Sequence, residues 1–170
     1  MAMDLISRVE LTDGAAASVL FNNIPQIGKD IVVKFSGRAT ETTLNTSVDV
    51  NGLGPTSFSK IKTVDYDWIQ DLRYQTLNYA YVPGSISHNS STASSFSSTE
   101  YTFYNYAASL PTMIRIDGVV PDLLPSSSER EGLVLGAFKH EQSAPITSLG
   151  FAIGYGNLAQ YTSISLYLVY

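Results

Sequence analysis

The last ten residues of the chain, YTSISLYLVY, alternate between apolar and mostly hydroxyl-bearing side chains. A two-residue period is the pattern of a β-strand that buries one face. Chain ends are usually polar and frayed, so an apolar face that continues to the final residue needs neighbouring strands to cover it. We therefore predict that this segment completes an inner sheet, with these structural residues on its apolar face: Ile164, Leu166, Leu168 and Tyr170.

Short segments of the same kind recur along the whole chain, about ten or eleven in all. Turn signals separate them, among them Asn51-Gly52, a pair typical of hairpins. Charged residues make up 15% of the chain, against about 25% in an average soluble domain. Eleven Tyr and seven Phe suit pleated surfaces. The sequence predicts an all-β protein, a jelly-roll-like β-sandwich with a barrel as the alternative, and helix is allowed only within residues 57–75.

Two long polar segments interrupt the strand pattern. The first, PGSISHNSSTASSFSSTE, is serine-rich and resembles a flexible linker in composition. The apolar residues Ile86 and Phe96 interrupt this segment, and strands with an alternating pattern flank it. We therefore interpret it as a long loop inside one domain spanning residues 1–170. The second loop is predicted at residues 120–131. The three segments that follow, GLVLGAF, ITSLGFAIGYG and TSISLYLVY, are the most apolar and are predicted to be central strands.

Charge and cysteine content exclude several kinds of partner. The net charge is −5 and the isoelectric point is near 4.8. Ten scattered Lys and Arg do not supply the clustered basic face that nucleic acids or anionic membranes require. The absence of cysteine excludes disulfides and thiolate metal sites. The start, MAMDLISRVE, has no basic segment followed by an apolar run, so we predict synthesis in the cytoplasm without a signal peptide and without membrane insertion.

The residues that most often carry catalysis lack a recognisable context. His88 lies in the serine tract and His140 lies beside Glu141, and neither belongs to a nucleophile-elbow or zincin motif. Three aspartates, at positions 65, 67 and 71, are close in sequence, but the pattern lacks the glycine and further oxygen ligands of a calcium loop. We predict a non-enzymatic protein without a cofactor or a metal.

One aromatic group is a candidate interaction surface. Tyr66, Trp68, Tyr74 and Tyr81 cluster in an irregular region, with Tyr79 between the last two. Aromatic side chains in such segments can stack on sugar rings or anchor protein interfaces. Ordinary core packing is the alternative for the group. For Tyr101 and Phe103, which alternate along a strand, core packing is the prediction.

Four stretches resemble, in the same order, a virion-surface β-sandwich domain of tailed bacteriophages. LISRVELTDGAAASVLFNNIPQ, which leads into DIVVKFSGRAT, is similar to the opening hairpin of that family, and YTFYNYAAS followed by MIRIDG is similar to its middle strands. ITSLGFAI and YTSISLYLVY are similar to its closing pair. The family often has a Trp and glycines before ITSL, where this chain reads GAFKHEQSAP, and its usual Gly after Ser-Leu-Tyr is Leu168 here.

The resemblance implies a structural protein of the virion surface. Such domains occur in capsid decoration proteins, baseplate proteins and tail-fibre tips. A tail fibre needs an oligomerising shaft before its tip, but strand patterning here begins at about Asp4. This favours a decoration or cement protein. It is expected as a trimer on the major capsid protein or other virion proteins. The alternative is a tail or fibre-tip module that binds a host glycan, and a polysaccharide-cleaving enzyme comes third.

Overall fold

A computed structural model describes residues 2–41, 46–52, 58–59, 81–82, 86–89, 91, 93–120 and 132–170. These residues contain eleven β-strands and no helix. The strands are β1 (Met3–Glu10), β2 (Ser18–Phe21), β3 (Asp30–Gly37), β4 (Thr46–Val50), β5 (Phe58–Ser59), β6 (Tyr81–Val82), β7 (Ser97–Phe103), β8 (Thr112–Val120), β9 (Gly132–His140), β10 (Leu149–Ile153) and β11 (Ser163–Val169). The helix that the sequence allowed lies outside the described residues, apart from positions 58–59, which are strand.

The strands form two antiparallel sheets. The larger sheet has the order β1-β11-β3-β7-β8-β9-β5, and the smaller one has the order β2-β10-β4-β6. Burial alternates along most strands, for example in β4, β8 and β10, as expected for strands with one face in a core. The predicted all-β sandwich is therefore confirmed.

The core lies between the two sheets and is centred on Phe151 of β10. The Phe151 ring centroid lies 5.4 Å from that of Tyr101 and 6.3 Å from that of Phe35, both from the larger sheet. Within its own sheet it lies 6.4 Å from Phe21, edge to face. A buried hydrogen bond of 2.7 Å joins the hydroxyls of Thr46 and Tyr101 across the sheets. Aromatic contacts and one polar bond thus fix the two layers together.

The most apolar strands do not all occupy central positions. β11 lies between β1 and β3, and β10 lies between β2 and β4, as predicted. β9 lies next to the two-residue strand β5, at the rim of the larger sheet, and its Leu135 is exposed. Tyr170 is also exposed, at 46%, so its predicted place on the apolar face was wrong. It follows the end of β11, where its N–H donates to the carbonyl of Ala2.

Two predicted hairpins are connections between the sheets. Asn51 and Gly52 adopt the left-handed conformation that their sequence predicts, with φ of 56° and 67°. However, β4 belongs to the smaller sheet and β5 to the larger one, so the turn does not form a hairpin. The side-chain amide of Asn51 bonds the backbone of residues 145, 147 and 148 instead. β1 and β2 likewise belong to different sheets.

Candidate functional site

The predicted aromatic surface falls mainly on residues that the structure does not describe. Tyr66, Trp68, Tyr74 and Tyr79 lie outside the described residues, as do the aspartates at positions 65, 67 and 71. The backbone of Tyr81 belongs to β6 and pairs with Ser47 of β4, but its side chain is also outside the described part. The interaction surface therefore stays a prediction.

The second aromatic group forms part of the core. Tyr101 and Phe103 are fully buried in β7, which confirms the prediction made from their alternation. Tyr106, just after this strand, is also buried. Its hydroxyl donates to the carbonyl of Pro25 and accepts the N–H of Gly28, so it ties the β7–β8 turn to the β2–β3 loop. These rings serve the packing of the sandwich.

Both histidines lie in the protein interior. His88 is buried in the serine tract, where the hydroxyl of Ser91 accepts its backbone N–H at 3.2 Å. His140 is fully buried at the end of β9, opposite Thr112 of β8. A general acid or base must come within hydrogen-bond reach of its substrate. Buried imidazoles of this kind meet that requirement only if the fold opens around them.

Arg38 holds the serine tract against the sandwich. Its guanidinium donates to the backbone carbonyls of Asn89, Ser91 and Ser95 at 3.1, 3.0 and 3.1 Å. The neighbouring N–H of Ala39 donates to the carbonyl of Ser87 at 2.7 Å. The planar guanidinium offers several donors in a fixed geometry, which suits a cluster of carbonyl oxygens. The described part of the tract before β7 is therefore an anchored loop, while residues 97–100, which were predicted as loop, belong to β7. We call these bonds the Arg38 clasp.

Exposed apolar side chains form a patch on the outer face of the larger sheet. Met3 pairs with Val169, and Leu5 pairs with Tyr167, which in turn pairs with Val32. We call the set of Met3, Leu5, Ile6 and Tyr167 the β1 patch, while Val32 and Val169 beside it are buried. Met3, Leu5 and Ile6 are exposed, Leu5 by 53%. The outer face of an antiparallel sheet is usually polar, so this patch is a candidate contact surface.

Charged side chains on the same outer face form local ion pairs. Arg8 and Glu10 of β1 lie 2.8 Å apart, and Arg115 and Asp117 of β8 lie 3.0 Å apart. A side-chain hydrogen bond with Tyr104, followed by a hydrogen bond and the charge of Asp117, raises the pKa of Arg115 above its ordinary value. Both pairs are solvent-exposed and contribute little to stability. They keep positive and negative charge interspersed across the sheet.

Two tyrosines project from the β10–β11 connection. Tyr155 is 73% exposed and Tyr161 is 61% exposed. Tyr161 has a φ of 67°, a conformation that is costly for a bulky residue. Its N–H donates to the carbonyl of Leu11 at 2.7 Å, and the side-chain amide of Gln160 donates to the carbonyl of Thr12 at 2.5 Å. The connection is thus fixed while its aromatic side chains face solvent. Alternation patterns do not reveal such residues, because they lie outside strands.

Two further kinds of site in the described residues, and the comparisons with known proteins, give no match. Within the described ranges, no group of three or more acidic or histidine side chains is placed to hold a metal ion. The part of the chain that the structure describes has no helix long and apolar enough to cross a membrane. No protein-family model matches the chain, and neither a curated protein nor a solved structure matches it.

Proposed function

We propose that the sandwich is a jelly roll and that the protein decorates a bacteriophage capsid. A jelly roll has eight strands in two sheets, connected as Greek keys. The four strands β1-β11-β3-β7 and the four strands β2-β10-β4-β6 provide two such layers, with β8, β9 and β5 extending the first. The chain passes from one sheet to the other at every connection between consecutive strands except β7–β8 and β8–β9. This order supports the jelly-roll assignment.

The observation that carries the functional proposal is where the phage-like stretches fall on this framework. They cover all or part of β1, β2, β3, β7, β10 and β11, which are six of the eight strands in the two four-stranded layers, and MIRIDG adds β8. A resemblance confined to one hairpin would reflect ordinary strand patterning. Jelly rolls are common in viral capsid proteins and in lectins, and the site decides between such roles. The Arg38 clasp and the apolar core give a compact body suited to a virion surface.

A decoration protein stabilises a shell by mass action. Copies that bridge neighbouring capsid subunits bind the assembled shell better than the separated subunits, so binding shifts the equilibrium toward the shell. At a concentration of 100 times Kd the gain is about 2.7 kcal/mol per site. A trimer multiplies weak contacts through avidity. The expected partners are the major capsid protein or other virion proteins, and the expected location is the virion surface.

Binding to stripped shells tests the proposal. The purified protein should pellet with mature capsids that lack it and should raise their resistance to heat. Shells mixed with an unrelated β-sandwich of similar acidity provide the control, because a nonspecific effect would appear there too. Protein that stays in the supernatant, and instead co-purifies with tails or baseplates, would overturn the capsid assignment.

The exposed tyrosines favour a second candidate function, glycan binding by a tail module. Aromatic rings that face solvent can stack on sugars, and Tyr155 and Tyr161 provide two. A glycan array distinguishes the candidates. Binding that is lost in Tyr155→Ala, Tyr161→Ala or Trp68→Ala, with an unchanged melting temperature, would favour the glycan-binding module. Absence of specific binding by the wild-type protein would remove it.

A further inference from the structure

We propose that copies of this chain associate with one another through the β1 patch. Met3, Leu5 and Tyr167 form a continuous apolar surface on β1 and β11, since cross-strand partners on one face lie about 4.5 to 5.5 Å apart. The next residues along β11 and β3 on this face are polar, namely Ser163, Ser165 and Ser36. The patch is therefore bounded, as contact surfaces usually are. The inference gives the proposed homo-oligomer its contact surface and rests on that part of the proposed function.

The charges around the patch favour a second copy of the chain as the partner. Each copy carries a net charge of −5, so most contacts between copies bring like charges together. The exposed charges on the outer face of β1, β11, β3 and β7 are Arg8, Lys34, Glu10 and Glu100, two positive and two negative, which sum to zero. Asp30 of β3 is buried and accepts a backbone hydrogen bond. Arg8 and Lys34 of one copy can thus meet Glu10 and Glu100 of the next.

The bulge and the inward charge of β1 indicate that copies meet through side chains on its outer face and not through backbone pairing at its edge. β1 is the last strand of the larger sheet in the described residues, and an open edge can pair with another strand. However, the strand contains a bulge between Leu5 and Ser7, and Asp4 lies opposite the core residue Leu168. Bulges and inward charges discourage edge-to-edge pairing. The outer face, with Leu5 near its centre, is therefore the contact surface.

Analytical ultracentrifugation of the protein alone tests the inference. The wild-type protein should form a dimer or trimer as its concentration rises from micromolar to near-millimolar. Leu5→Glu should weaken this association at least about tenfold, because it places a charge in the apolar contact. Leu20→Glu is the matched control. Leu20 is 55% exposed, almost as much as Leu5, but lies on β2 of the other sheet, so this variant should associate like the wild type.

A second measurement covers the case in which Leu5→Glu unfolds the protein. Because the chain has no cysteine, Leu5→Cys and Leu20→Cys each introduce a single thiol. In Leu5→Cys the rate of labelling by a bulky maleimide should fall severalfold as the concentration rises, and in Leu20→Cys it should stay constant. A wild-type monomer at all concentrations, or equal behaviour of the two positions, would overturn the inference. No shells are present, so a failure of self-association is distinct from a failure of shell binding.

Discussion

At the scale of single residues, we expect Arg38 to contribute more to the stability of the fold than its sequence context indicates. Arg38→Met removes three hydrogen bonds to the carbonyls of Asn89, Ser91 and Ser95. We expect a loss of about 2 to 4 kcal/mol in the free energy of unfolding, because bonds to a charged donor are strong and the carbonyls lose their partner. Denaturant titration gives the loss. Hydrogen exchange should accelerate at residues 86–96 before it does in β11.

Arg8→Met is the matched control for this variant. The ion pair of Arg8 with Glu10 is exposed, so its removal should change the free energy of unfolding by no more than about 0.5 kcal/mol. Equal losses in the two variants would show that the Arg38 clasp does not hold the loop. The sequence could not reveal the clasp, because its acceptors are backbone carbonyls more than fifty positions away, and backbone groups leave no pattern of residue types.

Tyr161 is a second residue whose role depends on conformation. Its left-handed φ costs a bulky residue roughly 1 to 2 kcal/mol, and glycine adopts that conformation freely. We expect Tyr161→Gly to be as stable as the wild type or up to about 1 kcal/mol more stable, since its exposed ring adds little packing. Tyr155→Gly, at an exposed position without a positive φ, should be destabilised. A marked loss in Tyr161→Gly in thermal melts would contradict this.

At the scale of elements, alternation predicted individual strands well and their partners poorly. The segment YTSISLYLVY was predicted as a strand from its alternation and contains β11, in which Ile164, Leu166 and Leu168 are buried. The membership of β1 and β2 in different sheets was not predicted, because turn residues determine local backbone direction and not the sheet that the next strand joins. The exposed Leu135 shows similarly that apolar content alone does not make a strand central.

The pairing of β7 with β8 depends on a close approach at Gly118. A Cβ at this position would lie 2.7 Å from the hydroxyl oxygen of its cross-strand partner Thr99. Gly118→Ala should therefore cost about 1 to 3 kcal/mol of stability through overpacking. In a Thr99→Ala background the same change should cost at least about 0.5 kcal/mol less, because the two nearest of the three close side-chain atoms are removed. Denaturant titration of the four proteins measures the coupling, and equal costs in both backgrounds would exclude this contact as the cause.

At the scale of the whole molecule, the sequence predicts two sheets with a shared apolar core but not the residue at its centre. Periodicity tells which face of β10 is buried, and Phe151 lies on that face. The partners of Phe151 in the other sheet, Tyr101 and Phe35, come from strands distant in sequence. Only the packing of the layers brings them together. We therefore expect the stability of both sheets to depend on contacts that no single segment encodes.

Phe151→Ala tests whether the two sheets unfold as one unit. The substitution removes three aromatic contacts from a fully buried site and should cost about 3 to 5 kcal/mol. Because the core cluster includes β3 and β10, the slowest-exchanging amides of the two strands should report the same opening free energy, and both should fall equally in the variant. Leu20→Ala, at an exposed position of the smaller sheet, is the control and should shift stability by less than about 1 kcal/mol. If β10 lost protection in Phe151→Ala while β3 kept it, the sheets would be independently stable, and the contacts between Phe151 and the larger sheet would not couple the two layers.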